Sequence, residues 1–253
     1  MAADMADLKT RAVRLRDLHH GEMLVLPNVW DAASAAVVAE AGFPAVATAS
    51  AAVSAMLGHP DGEGAPWQEM FAAAGRVARA VPVPVTVDAE AGYGMRPREL
   101  VDRLLAIGAV GCNVEDTDHR AGGLADAGAH AQWLADVRSA ADDAGVPLVV
   151  NARVDTFLPR SGTQEPDRVA EAIRRGRLYR EAGADCVYPI GVRSKDDIAT
   201  LVTELPCPVN GNTGEELDLA TLRELGVARV SYGPRFYRAA MADLRTSVQQ
   251  LLT

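Results

Sequence analysis

Short apolar runs and longer periodic segments alternate along the whole chain. The runs are continuously apolar and rich in Val and Ala, the pattern of strands covered on both faces. They predict strands over residues 24–27, 45–49, 83–88, 111–115, 148–153, 186–189, 208–210 and 229–232. Segments with helical spacing lie between them. Residues 97–107 open on Pro97 and are followed by Gly108; residues 166–182 are closed by Gly183, and 217–225 by Gly226. The pair Ala-Gly recurs from Ala41, Ala144 and Ala182, where a helix stops at a left-handed glycine and a short turn feeds the next strand. Repeated βα units without a linker predict one α/β domain over residues 1–253, a single closed (β/α)8 barrel of the TIM type. An open doubly wound sheet is the alternative. It would show a Gly-x-Gly-x-x-Gly loop after an early strand, and the sequence has none.

Composition narrows the partners. Hydrophobic residues make up 49% of the chain but aromatic ones only 5%, so Ala, Val and Leu build the core. The formal charge of −9 repels a phosphate backbone on average, which argues against nucleic acid while leaving room for a local basic site for a small acid. No apolar run reaches the ~18 residues of a membrane span. Residues 1–16 lack the apolar core of a signal peptide, so a cytoplasmic location is expected. Cys112, Cys186 and Cys207 form no CxxC pair and read as small buried side chains within strands.

The candidate chemistry sits where strands end. Val87-Asp-Ala-Glu-Ala-Gly-Tyr-Gly94 places Asp88 and Glu90 at one strand end, and Glu115-Asp116 closes the next. In a parallel α/β protein this is where catalytic groups and cations are held. Magnesium takes hard oxygen ligands and only one or two carboxylates directly, so Asp88, Glu90 and Glu115 are the candidate metal residues, with ordinary capping and surface acids as the alternative. Arg153 at the mouth of the fifth strand is a candidate clamp for an anionic substrate, or the partner of Asp155 in a structural ion pair. Ser50, Ala51 and Ala52 follow a strand and leave backbone N–H groups for an oxyanion. Residues 59–66 and 117–128 read as lids. Asp61 in the first is a candidate base or a solvated acid, and His119 in the second a weak candidate. His19, His20 and His130 read as surface or loop residues. Tyr93 and Trp30 stand beside strand ends as candidate pocket walls.

These residues resemble a known group. Leu26-Pro-Asn-Val-Trp-Asp-Ala-Ala-Ser-Ala35, Ala41-Gly-Phe43, Thr48-Ala-Ser50, Leu57-Gly-His-Pro-Asp61, the octapeptide from Val87, Val114-Glu-Asp116 and Asn151-Ala-Arg153 are similar to the isocitrate lyase/phosphoenolpyruvate mutase superfamily over residues 24–238. The resemblance implies a (β/α)8 barrel, often with a swapped C-terminal helix, that binds Mg2+ (or Mn2+) and a small 2-oxo or 2-hydroxy carboxylate. It implies cleavage or formation of C–C or P–C bonds through an enolate, and a homodimer or homotetramer. It makes Asp88 the direct metal ligand and Glu90 and Glu115 the acids on the metal's waters. Ser50 and its backbone become the carboxylate cradle, Arg153 the substrate clamp and Asp61 the lid acid. The lyase lid Lys-Lys/Arg-Cys-Gly-His is replaced here by Asp118-His-Arg-Ala-Gly-Gly123, and the Pro-Lys-x-Asn lid of the phosphonate branch is also missing. The leading expectation is therefore a Mg2+-dependent carbon–carbon lyase or decarboxylase of a small di- or tricarboxylate. The alternatives are a P–C mutase or hydrolase, and a catalytically silent 2-oxo acid-binding protein.

Overall fold

A computed structural model describes residues 4–252. Its strands are β1 (Leu24–Leu26), β2 (Asn28–Val29), β3 (Val46–Thr48), β4 (Val85–Asp88), β5 (Gly111–Glu115), β6 (Val149–Val154), β7 (Cys186–Pro189), β8 (Asn210–Asn212) and β9 (Arg229–Ser231). The helices are α1 (Met5–Asp17), α2 (Ala32–Glu40), α3 (Ser50–Leu57), α4 (Trp67–Ala80), α5 (Pro97–Ala106), α6 (Ala127–Asp143), α7 (Arg168–Glu181), α8 (Lys195–Glu204), α9 (Leu219–Glu224) and α10 (Arg235–Gln249).

All strand pairs are parallel, and they run β2-β3-β4-β5-β6-β7 in one ladder and β1-β9-β8 in the other. Two joints turn these ladders into a barrel. Pro27, which has no N–H for a ladder, splits one stave into β1 and β2. A single parallel bridge, Val187 to Val209, links β7 to the approach of β8. Asn28 stitches the split stave at the mouth: its Nδ2 donates to Thr48 O at 2.8 Å, and its Oδ1 accepts from the N–H groups of Tyr232 and Gly233 at 2.7 and 3.0 Å. The expected (β/α)8 barrel is thus the observed architecture. The seventh stave is shifted from the expected 208–210 to Asn210–Asn212, because Pro208 cannot donate to a ladder.

Local signals act as the sequence suggests. Pro97 stands in the first turn of α5, and Asp31 with Ser34 forms a reciprocal capping box on α2. The apolar core lies between staves and helices and is built of Val, Ala and Leu, including Val77, Leu104, Val110, Val149 and Leu201. α1 covers the end of the barrel opposite the site. Gly111 permits this, since a Cβ there would meet Leu15 Cδ2 at 2.8 Å. His19, at the end of α1, is buried and bonds Leu15 O, and His130 lies on α6 beside Trp133; neither is the surface residue expected. Cys112 and Cys186 are buried in strands, while Cys207 is half-buried in the turn before β8.

Candidate active site

The parity of a strand decides which residues face the barrel interior. Asp88, Asn113, Arg153, Tyr188 and Ser231 line one cavity of about 570 Å3 at the carboxyl ends of the staves. Ser50, Ala51, Asp61, Arg160 and Arg238 also line it. Sequence positions two residues deeper on the same faces, such as Thr86, Asn151 and Arg229, are buried polar groups inside the barrel.

Asp88 is held from two sides. Its N–H donates to Thr48 Oγ1 at 2.9 Å, and its Oδ2 accepts from Ser50 N–H at 3.0 Å. Its Oδ1 is buried and has no hydrogen-bond partner among the described residues. A carboxylate oxygen in that state asks for a cation. This is the observation by which the site fits a hard divalent metal with one carboxylate ligand and several waters.

The neighbouring acids do not join Asp88. Among the described residues, no three His, Cys, Asp or Glu side chains gather as a metal-binding group. Glu90 and Glu115, expected to act on the metal's waters, each have protein partners of their own. Glu90 adopts φ 49°, which turns its side chain toward the first lid. There it accepts from Glu63 N–H and, at 2.5 Å, from Tyr93 OH, while Tyr93 N–H donates to Glu63 Oε1 at 2.6 Å. Burial, with Asp88 and Asp61 adding repulsion, pushes Glu90 up to about 7 against these hydrogen bonds. Glu63, Glu90 and Tyr93 are the three non-glycine residues with positive φ among those described. Strained backbone is therefore concentrated where the first lid meets the octapeptide. Tyr93 stands behind Glu90 rather than on the cavity wall, and Trp30 packs edge-on against Tyr237 of α10.

Glu115 turns to cations. Its Oε2 accepts from Arg153 Nη1 at 2.5 Å and its Oε1 contacts His119 Nε2 at 2.6 Å, with Arg160 at 3.5 Å. Burial holds the carboxyl above its ordinary range, although Arg153 and His119 pull against it. The bond to Glu115 holds the His119 imidazole above its ordinary range. Arg153 also donates from Nε and Nη2 to Asp155 at 2.6 and 2.8 Å. The ion pair weighed as an alternative for Arg153 is thus present, and the guanidinium still borders the cavity. Burial opposes ionisation of Asp155, but paired Arg153 keeps it below the usual carboxylate range. Asp116 is an anchor: it accepts from Asp155 N–H, Arg175 Nη1 and Tyr179 OH at 2.9, 3.0 and 2.8 Å.

The cradle comes from the start of α3. Ser50 N–H serves Asp88 and Ala52 N–H serves Ala49 O, so Ala52 stands buried behind the wall. The Ser50 hydroxyl and Ala51 N–H, by contrast, have no partner among the described residues and border the cavity at a helix N-terminus. The second lid is a tight hairpin, with Thr117 bridging Leu124 and Asp118 Oδ1 accepting from the N–H groups of Arg120 and Ala121. Gly62 of the first lid packs on the His119 ring, so the two loops touch.

Sequence reasoning missed Arg160, Asn113 and Arg229. Arg160 lies in a short 3-10 turn after β6, where periodicity carries no signal. The other two were readable by parity: Asn113 is two residues before Glu115, and Arg229 is an arginine in a Val-rich strand.

The family model for phosphoenolpyruvate phosphomutase matches residues 15–252. The chain belongs to the phosphoenolpyruvate mutase/isocitrate lyase superfamily. Within that superfamily it is 37% identical over 226 residues to an uncharacterized protein of Mycobacterium tuberculosis H37Rv, covering 89% of this chain and 83% of that one. It is 32% identical over 237 residues to an oxaloacetate decarboxylase of Bradyrhizobium sp. ORS 278, covering 89% and 80%. Among solved structures, a protein of Burkholderia cenocepacia J2315 provisionally described as a phosphonomutase superposes with a TM-score of 0.88 at 41% identity, covering 96% and 99%. An oxaloacetate acetylhydrolase bound to its product oxalate superposes with a TM-score of 0.85 at 25% identity, covering 96% and 87%. Members of the superfamily are thus lyases, decarboxylases or mutases.

Proposed function

We propose that this protein is a Mg2+-dependent lyase, with Mn2+ able to substitute, that cleaves a carbon–carbon bond in a small 2-oxo dicarboxylate. Decarboxylation of an oxaloacetate-like acid is its simplest form. The observation that carries the reading is Asp88, fixed on both sides yet presenting one buried, unpartnered oxygen beside an amide cradle and an arginine. The names of the decarboxylase and acetylhydrolase relatives support the substrate class.

In this reading Asp88 holds the cation, which when bound stabilises negative charge on the C2 oxygen. The Ala51 N–H and Ser50 hydroxyl receive the C1 carboxylate at the start of α3. Arg153, already balanced by Glu115 and Asp155, and Arg160 at the rim face the second carboxylate. The C3–C4 bond breaks, and its electron pair forms the C2–C3 double bond. The carbonyl pair moves to the C2 oxygen and carbon dioxide leaves. C3 then takes a proton delivered through solvent, with the first lid and Asp61 at the cavity edge.

Oxaloacetate consumption with Mg2+, followed by coupled pyruvate detection, tests the reading. Asp88→Ala should lose at least ~1,000-fold in kcat/KM; full turnover by that variant would falsify the assignment. The similarity to a phosphonomutase favours P–C chemistry as the second reading. Phosphorus NMR on phosphonopyruvate separates the two, because only a P–C enzyme changes that spectrum.

Self-association and a cytoplasmic location accompany the proposal. α10 buries none of its own residues and leaves Phe236, Leu244 and Val248 exposed, which supports a homodimer or homotetramer with the helix packed on, or swapped into, a neighbouring copy. Among the described residues no helix is long and apolar enough to cross a membrane. Light scattering reads the assembly directly, and a monomer at all concentrations removes that part of the proposal.

A further inference from the structure

Asn113 occupies the middle of β5, and packing alone does not explain it. Its register partners are Asp88 on β4 and Asn151 on β6, so its side chain lies next to the carboxylate that fits the cation. It lines the cavity although it is only 4% exposed. Its oxygen accepts two hydrogen bonds, from Asn151 Nδ2 at 2.8 Å and from Arg229 Nη2 at 3.1 Å. A guanidinium only donates, so the oxygen end of the amide must face Arg229 and the two ends are not interchangeable. The amide nitrogen is thereby left to the cavity, where it has no protein partner among the described residues.

Arg229 gives this arrangement its meaning. It is fully buried inside the barrel, and its Nε and Nη1 have no partner among the described residues. The buried Arg153 and Arg175 are paired with carboxylates, but no ion pair involves Arg229 among the described residues. A guanidinium buried without a counter-charge is strongly disfavoured. Among the described residues the one hydrogen-bond partner of the guanidinium is the Asn113 oxygen, and beyond that amide lies the cavity. An anion placed there adds to the negative charge of Asp88, which stands opposite Asn113 on β4.

We propose that Asn113 is a catalytic residue whose Nδ2 donates a hydrogen bond to the C2 oxygen of the 2-oxo acid, and that Arg229 is the positioning residue that orients and polarises it. The inference rests on the reading of the cavity as a 2-oxo acid site. The C2 oxygen gains negative charge as the C3–C4 bond breaks, so a donor fixed in advance acts most strongly at that moment. The cation behind the amide oxygen draws electron density from the N–H and strengthens it as a donor.

The test uses the whole protein with Mg2+. It compares Asn113→Asp, Arg229→Lys and Arg229→Met with the parent in oxaloacetate turnover, oxalate calorimetry and thermal unfolding. Asn113→Asp keeps the shape, removes the donor and gives Arg229 a carboxylate. Its kcat should fall about 100-fold or more, and its affinity for oxalate should fall in parallel, while its unfolding temperature holds or rises. Arg229→Met should lose about 10-fold in kcat with KM changed less than about threefold, and Arg229→Lys should recover most of it. Parental kcat and oxalate affinity in Asn113→Asp overturn the role of Asn113 alone. A lysine variant no better than the methionine one overturns the positioning role of Arg229. A parent that neither turns over oxaloacetate nor binds oxalate takes down the reading of the cavity and this inference together. Asn113→Ala carries the same readouts if the aspartate variant misfolds.

Discussion

Glu90 and Glu115 both lie within a few residues of a strand end beside Asp88, and both are about as buried as a carboxylate becomes, at 1% and 2% exposure. They are accommodated in opposite ways. Glu90 meets one backbone N–H and one phenol, with no cation in contact, on a left-handed backbone. Burial therefore raises it far enough that a proton neutralises it near pH 7. Glu115 lies between Arg153 and His119, and arginines neutralise it instead. One side of the site thus meets its buried acid with uncharged partners, and the other sets its acid among cations. Under the proposed reading, an acid that takes up and gives back a proton suits the water around the cation, and the ion pairs on the other side hold the Arg153 guanidinium at one angle.

The largest expected effect tests the side set among cations. Glu115→Gln strips Arg153 of one buried partner and should cost about 3–5 kcal/mol in urea unfolding; a midpoint equal to the parent's would show that Asp155 alone balances the guanidinium. The side with uncharged partners predicts a pH effect of somewhat smaller size, measured without metal. Glu90 binds its proton more tightly folded than unfolded between about 4.5 and about 7. The native state then holds the extra proton, so stability is full below about 4.5 and declines as pH rises toward about 7, by on the order of 3 kcal/mol for this group. Glu90→Gln should flatten that decline, and an unchanged slope in the variant would erase the contrast. The smallest effect sharpens it. Tyr93→Phe deletes the phenol that Glu90 accepts from. The loss should be about 1 kcal/mol at pH 5.5, where Glu90 is neutral, and about 2 kcal/mol at pH 8.5, where it is charged. Equal losses at both pH values would place a charged Glu90 throughout.

The same two regions show what can be read from a sequence. The barrel was legible, because parallel strands buried on both faces leave an unmistakable apolar signature and the helices end at glycines. The place of Asp88 was legible for the same reason: a polar residue closing a Val-rich strand must emerge at the mouth. The partners of Glu90 and Glu115 were not. Whether a carboxylate meets a cation, a phenol or a metal depends on the side-chain direction set by φ at Glu90. It also depends on residues distant in sequence, Glu63 for one acid and Arg160 for the other. Tyr93 is expected as a pocket wall and Ala52 as part of the oxyanion cradle from their places along the chain, yet Tyr93 stands behind Glu90 and the Ala52 N–H is taken by Ala49 O. Arg229 is legible only through parity: it shares a strand face with Ser231, and that face turns inward where the barrel closes.

Asp116 brackets the second lid. Its side chain fastens β5 to β6 and α7, its N–H bonds Arg153 O at 3.2 Å, and its carbonyl takes Ala125 N–H at 2.8 Å, so both ends of the hairpin are pinned at a single residue. The intervening stretch is in effect a cassette. Within it, Thr117 donates to Asp155 and His119 meets Glu115, so a loop of another sequence closed on the same residue would keep the frame but would have to replace these two contacts.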